Sequence, residues 1–334
     1  MEQTERARQQ LHRYVAERQD NICGIEALKN GKTLYSDYWN GFQPADALHV
    51  MSVTKSVVSL LVGIAIDQGL IRDVRQNVLD FFPEYTVKRG EKTIQSVTLE
   101  HLLTMTAPYK YKSEPWTKVC TSEDWTKAAL DLLGGRAGLT GAFKYSTLGV
   151  HILTGIIARE SGMPTADYAN RYLFAPLGIP PHRSYVAPTA EEHKEFILSK
   201  RPKENLWFAD PQGVGTAGYG LCLSVRDMAK IGQLCLDGGV YDGQRVVSAQ
   251  WISESTRPRR QWDEAFAHMG YGYLWWTPEM DRPAYAALGN SGTVIYIDPE
   301  RQTVVAIYGT FKPRVLDRVQ FIHESIEPLL DGGE

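Results

Sequence analysis

The sequence predicts an α+β fold: one antiparallel sheet flanked by N- and C-terminal helices, with an inserted all-α lobe. Three observations predict it. Segments of β type lie near the two ends of the chain. Helical periodicity fills the middle. The 334 residues exceed what a single core usually fills. Strands so far apart in sequence close most economically by pairing with one another under a cover of helices. On this reading residues 1–72 and 213–334 build the sheet lobe and residues 73–212 the helical lobe, with the functional groups in the cleft between them.

The elements follow in order. Residues 4–18 carry Leu11, Tyr14 and Val15 at helical spacing. The segment "ICGIEALKNGKTLYSDYW" holds two β-type runs around Asn30-Gly31, a strong hairpin signal. A helix opens near Ser52. The middle reads as helical in "VTLEHLLTM", "SEDWTKAALDLL", "STLGVHILTGIIARESG" and "TADYANRYLFAPLGI", separated by long loops. Loops of that length inside a compact domain tend to be functional. After residue 213 a Gly-rich turn, "GVGTAGYG", precedes the helix "SVRDMAKIGQLCLDGG". Three β-type segments follow, "YGYLWW", "TVIYI" and "TVVAIYG", and "RVLDRVQFIHESIEPLL" closes the chain as a helix. Trp275 and Trp276 fall in the first of these strands, so alternation sends one to the core and the other to a helix or the cleft.

Composition narrows the function. A net charge of −3 leaves no basic footprint for nucleic acid. The longest apolar run, residues 57–66, is too short to span a bilayer. The N-terminus lacks the apolar core of a secretory signal, and the four cysteines show no C-x-x-C spacing; reduced thiols in a cytoplasmic protein are expected. The eight histidines form no H-x-x-x-H pair, so neither a metal nor another cofactor is expected.

The chemistry begins in "HVMSVTKSVVSLLVGIAIDQG", residues 49–69. Residues i and i+3 share a helix face, so Ser52 and Lys55 bring a hydroxyl beside an amine. The helix N-terminus offers unpaired N–H groups and a positive dipole end. That end and the apolar surroundings both disfavour a protonated lysine. A neutral Lys55 would take the Ser52 proton and activate it as a nucleophile. S-x-x-K alone occurs by chance roughly once in a chain of this length, so other residues must support it. Tyr145, in "FKYSTLGVHILTG", sits at a loop–helix junction and is the candidate proton relay. Ser291 in "GNSGT" is no nucleophile elbow, because Gly292 comes one place early for G-x-S-x-G.

S-x-x-K opening a buried helix and Y-S-x opening a later one resemble the serine β-lactamase/DD-peptidase superfamily. The chain is most similar to its class C-like branch, which includes esterases and aminohexanoate-dimer hydrolases. "VLDFFPEY", "VTLEHLLTMT", "YGLCLSVRDMAKIGQLCLDGG" and "GNSGTVIYIDPERQTVVAIY" extend the likeness over roughly residues 25–330. The resemblance implies a β-lactamase/transpeptidase-like fold, with Ser52 as acylated nucleophile, Lys55 as base and Tyr145 as relay to the leaving group. It implies an oxyanion hole from the N–H of Ser52 and one N–H on an edge strand. Ala287-Leu288-Gly289 aligns with the third motif, which assigns that N–H to Asn290, or to Ser291 if the register slips.

Two departures stand out. The third motif lacks its cation, and Thr147 stands where Asn is usual. Both count against β-lactams and D-amino-acid peptides; Arg226, Lys230 and Arg257 are the next cations to consider. Tyr109, Tyr111, Trp116, Trp207, Thr147 and Ser291 are candidate substrate-pocket residues. The expected activity is a serine hydrolase acting on a small ester or amide, with no nucleic-acid or membrane partner. The rivals are a D-amino-acid peptidase or β-lactamase, and a non-catalytic scaffold with the same fold.

Overall fold

The computed structural model describes residues 2–261, 268–315 and 318–332. Among the described residues the main sheet has eight antiparallel strands, in the order Lys32–Tyr38, Ile22–Lys29, Thr303–Gly309, Thr293–Asp298, Tyr285–Gly289, Trp276–Thr277, Gly270–Tyr271 and Arg260–Gln261. The first two are β1 (Ile22–Lys29) and β2 (Lys32–Tyr38). Asn30 and Gly31 join them with φ of 51° and 72°, the left-handed pair a tight two-residue hairpin turn needs. β12 (Tyr285–Gly289), β13 (Thr293–Asp298) and β14 (Thr303–Gly309) are buried at every position. β1 pairs with β14, Ile25 opposite Ile307. The sheet therefore joins the two ends of the chain.

The segment "YGYLWW" is not one strand. β10 (Gly270–Tyr271) and β11 (Trp276–Thr277) are antiparallel partners. Between them the chain reverses, with the Gly272 N–H bonded to the Trp275 carbonyl at 2.8 Å and Leu274 at φ 63°. Trp275 is thus a buried turn residue rather than a strand residue, and only Trp276 opens a strand. The expected edge strand is interior as well, because β9 (Arg260–Gln261), β10 and β11 extend the sheet beyond β12. β11 meets β12 only at Trp276 and Ala286, so residues 287–289 run past the end of that pairing.

Helices cover the sheet. α1 (Glu2–Arg18) buries Leu11 and Val15. A closing helical stretch, Val319–Phe321, Ile322–Ile326 and Glu327–Asp331, packs against α1 and β1. The expected closing helix starts at Arg314; Arg314 is instead a turn residue with φ 67°, and 316 and 317 lie outside the described residues. α2 (Val53–Asp67) is buried continuously from Val53 to Ala65. An apolar circumference of that kind belongs in a core.

The middle of the chain is helical, but not wholly. It contains α3 (Leu99–Leu103), α4 (Trp116–Cys120), α5 (Trp125–Leu130), α6 (His151–Ser161), α7 (Thr165–Ala169) and α8 (Ala190–Leu198). It also holds a short parallel pair, β4 (Arg183–Tyr185) with β5 (Leu206–Phe208). The adjacent aromatics Trp207 and Phe208 favour strand over helix there. A second small pair matters more for the site. β3 (Leu48–His49) joins β6 (Cys222–Leu223) and so ties the approach to Ser52 to the chain just after Gly218. α9 (Val225–Leu236) then lies on β13 and β14. All four cysteines are free. No helix among the described residues is long and apolar enough to cross a membrane.

Candidate active site

A sharp junction presents Ser52. β3 ends at His49, the Val50 N–H bonds to the Leu221 carbonyl at 2.9 Å, and Met51 turns the chain with φ 52°. A left-handed methionine is uncommon and costs on the order of 1 kcal/mol or more. It is held by the Thr54 hydroxyl, which donates to the Met51 carbonyl at 2.7 Å. Ser52 follows as the residue before α2, and its side chain makes no cap hydrogen bond to the helix. A serine at this position usually caps. Here its hydroxyl is left for other partners.

Those partners converge. Lys55 Nζ lies 2.9 Å from Ser52 Oγ, 2.6 Å from the Gly218 carbonyl and 3.5 Å from Thr147 Oγ1. Lys55 is only 1% exposed. Burial pulls its ammonium down to about 7, against an opposing pull from the Glu114 carboxylate. The three acceptors suit both charge states. As an amine, Lys55 keeps two N–H groups for Gly218 and Thr147 and turns its lone pair to the Ser52 hydroxyl.

Tyr145, just before α6, presents its phenol to the Ser52 side chain, which opposes the upward push of burial. Its ring lies under Lys55 Nζ at 4.8 Å, stacks on Trp276 at 6.0 Å and meets Tyr271 edge-on at 6.4 Å. Burial pushes its phenol up, so at neutral pH Tyr145 is a neutral donor-acceptor. Of these two titratable side chains, Lys55 is the one whose proton is labile near neutrality.

Two glycines let the backbones meet here. A Cβ on Gly218 would sit 2.4 Å from the Thr147 carbonyl oxygen, and one on Gly289 would sit 2.8 Å from the Val50 carbonyl oxygen and 3.2 Å from Ser52 N. Gly289 thus brings the end of β12 against the nucleophile's own N–H. Asn290 comes next and is exposed. Ser291 is spent elsewhere. Its N–H donates to the Val315 carbonyl at 2.8 Å, and its buried hydroxyl binds the Lys312 backbone. Its N–H is therefore taken, and its hydroxyl is turned to the Lys312 backbone.

The remaining pocket candidates divide. Tyr109 and Tyr111 stack at 5.1 Å. Tyr109 is buried against Gly149, and the Tyr111 hydroxyl lies 2.6 Å from Ser146 Oγ. Trp116 stands 41% exposed at the mouth of a cavity of about 700 Å³ that also involves Trp125, His193 and Phe208. Trp207 is a core residue, fully buried with its indole N–H on the Thr216 carbonyl at 2.9 Å. The alternative cations are occupied away from Ser52: Arg226 faces Glu26, Lys230 holds Asp227 and the Gly178 carbonyl, and Arg257 pairs with Glu254.

A family model described as Beta-lactamase matches residues 12–321. The chain belongs to the Beta-lactamase family. It is similar to the 6-aminohexanoate-dimer hydrolase of Paenarthrobacter ureafaciens, 27% identical over 300 residues that cover 83% of this chain and 70% of that protein. Among solved structures it is similar to a class C beta lactamase from Rhodobacter sphaeroides, with TM-score 0.69, 18% identity and 97% and 99% of the two chains covered. A family VIII carboxylesterase superposes with TM-score 0.67 at 17% identity, covering 97% and 96%. These likenesses establish the β-lactamase/transpeptidase-like fold.

In this Beta-lactamase-family chain, sequence reasoning missed three contributors. The Gly218 carbonyl is a backbone atom, so no residue type signals it. Lys144 adjoins Tyr145 and bonds the Tyr109 and Tyr111 carbonyls. Glu114 lies in the loop before α4 and accepts from Ser146 Oγ at 2.9 Å and Leu148 N at 2.8 Å. A lone acid in a long polar loop carries no pattern; the loop's length was its only signal.

Proposed function

We propose that the protein is a serine hydrolase that forms an acyl-enzyme at Ser52 on a small ester or amide. The observation that carries this reading is the buried Lys55 Nζ, 2.9 Å from an uncapped Ser52 hydroxyl. Neutral Lys55 takes the hydroxyl proton as Ser52 Oγ attacks the substrate carbonyl. The N–H groups of Ser52 and Asn290 receive the oxyanion. As the tetrahedral adduct collapses, Tyr145 gives its proton to the leaving oxygen or nitrogen and is refilled from the Lys55 ammonium. Water then enters, the same pair removes its proton, and Ser52 is released. The likeness to a protein named 6-aminohexanoate-dimer hydrolase supports including short amides. A seated cation at the third motif would be a lysine or histidine in β-lactam-binding relatives; Ala287 stands there, fully buried.

A fluorophosphonate probe tests the reading. Intact-mass spectrometry should find one adduct, abolished in Ser52→Ala. No adduct, or one on another serine, overturns the proposal. The substrate class is tested by comparing a p-nitrophenyl ester with nitrocefin. A charged hydrogen bond is worth roughly 1.5–3 kcal/mol, so its loss at the third motif should leave the β-lactam about 10–100-fold disadvantaged. Equal kcat/KM values would refute the ester preference.

A further inference from the structure

We propose that Glu114 is a positioning residue of this site: its carboxylate clamps the turn that carries Tyr145 and Thr147. The inference rests on the hydrolase reading above.

The clamp is visible atom by atom. One carboxylate oxygen accepts from Ser146 Oγ at 2.9 Å, from Leu148 N at 2.8 Å and, more distantly, from Tyr111 Oη at 3.5 Å. Ser146 Oγ in turn accepts from Gly149 N at 2.8 Å. Ser146 is fully buried, so its hydroxyl depends on these partners. Tyr145 and Thr147, the two residues of this turn that reach Ser52 and Lys55, flank Ser146 directly. Glu114 therefore holds the turn through Ser146 and Leu148, on either side of Thr147. Bonds to an ionised acceptor are roughly twice as strong as neutral ones, which suits a loop residue used as an anchor.

The charge acts further than the bonds. Burial disfavours the Lys55 ammonium and the Glu114 carboxylate favours it. The other groups that feel Glu114 are Lys144 beside Tyr145, the phenols of Tyr109, Tyr111, Tyr145 and Tyr219, and the Cys120 thiol at the end of α4. Burial pushes those phenols and the thiol up, so they are neutral near pH 7. Behind Tyr219, burial also keeps His193 neutral. Lys144 is spent on the Tyr109 and Tyr111 carbonyls. The charge on Glu114 is then felt chiefly by the two lysines.

Two substitutions separate the roles. Glu114→Gln keeps a carbonyl oxygen for Ser146 and Leu148 and removes the charge. Glu114→Ala removes both. The acid limb of kcat/KM against pH should move to lower pH in Glu114→Gln, because Lys55 then sheds its proton more easily. Glu114→Ala should show that move and also a fall in kcat of about 10–100-fold from a misplaced turn. Two readouts need no turnover. Titration of the ¹³Cε signal of labelled Lys55 reads the charge, and amide hydrogen exchange of the 143–150 peptide reads the clamp. Faster exchange in Glu114→Ala, with protection retained in Glu114→Gln, is the result expected. An unmoved Lys55 titration in Glu114→Gln overturns the counter-charge role. Unchanged exchange and kcat in Glu114→Ala overturn the clamp. If the wild-type protein takes no fluorophosphonate on Ser52, the hydrolase reading falls while the exchange and titration results still decide Glu114.

Discussion

Burying the Lys55 ammonium has two consequences with opposite sign. For chemistry it is favourable: a lysine held at about 7 is substantially neutral near neutral pH. The acid limb of kcat/KM should therefore fall near pH 7, and a limb set only by groups titrating below pH 5 would contradict this. For stability it is unfavourable. Unfolded, the lysine titrates near 10.5, so between about 7 and 10.5 the unfolded chain binds more protons than the native one. Stability from this group rises with pH across that window and is lowest at and below pH 7. Lys55→Met should thus raise the melting temperature most near pH 6–7, by roughly 2–4 °C per kcal/mol recovered. The gap over wild type should shrink toward pH 10, and a gap independent of pH would show that Lys55 is not the titrating group. Tyr145 shares Ser52 with Lys55. Lys55→Ala and Tyr145→Phe should each lose about 10²–10⁴ in kcat, and the double variant should be scarcely worse than the poorer single. Multiplicative losses would place the two residues on separate proton paths.

At the scale of elements, the site is a meeting of α2, the turn before α6 and the 216–220 turn, and close packing sets how they meet. α2 crosses α10 (Ala249–Thr256) at Gly63, where a Cβ would lie 2.2 Å from the Trp251 ring. Gly63→Ala should overpack this crossing at a cost of about 1–3 kcal/mol; a denaturant midpoint equal to that of wild type would show that Trp251 moves aside freely. Gly218→Ala acts differently. Its Cβ would meet the Thr147 carbonyl at 2.4 Å and the Thr147 methyl at 2.5 Å, so the turn must withdraw and carry the Lys55 acceptor with it. Activity should drop at least tenfold, with a smaller change in melting temperature, since little apolar area is lost. Kinetics and a thermal scan on one preparation would check the split.

For the whole molecule, the sheet closes by joining β1 to β14, and the closing helix locks that seam. Arg282 is the tie. Its guanidinium reaches Asp298 at 3.0 Å, Glu279 at 3.4 Å and Glu327 at 3.6 Å, linking the sheet to the last helical turns. Asp298 and Glu327 are 1% and 6% exposed. Arg282→Ala would take the cation from buried Asp298 and should cost about 3 kcal/mol, the low end for a broken buried pair, because Asp298 still accepts from two backbone N–H groups and Glu327 keeps His323 and Arg301. Urea unfolding measures this; a loss under 0.5 kcal/mol would make the network merely decorative.

The sequence by itself determined the local and the repeated: the hairpin at Asn30-Gly31, the amphipathic first helix, the apolar α2 and the S-x-x-K pair at its head. Each is governed by neighbours within a few residues, where propensity and periodicity act. The motifs in order were also enough to expect the Beta-lactamase family and its fold. Only the tertiary structure decided the rest. It broke "YGYLWW" into two strands around a turn and placed β12 inside the sheet, because pairing depends on partners far away in sequence. It sent Trp207 to the core and bound the Ser291 backbone to Val315, since burial and hydrogen bonding are settled by whatever packs alongside. It made the Gly218 carbonyl and Glu114 part of the Ser52 environment. These two come from segments 166 and 62 residues beyond Ser52, and no spacing rule reaches that far.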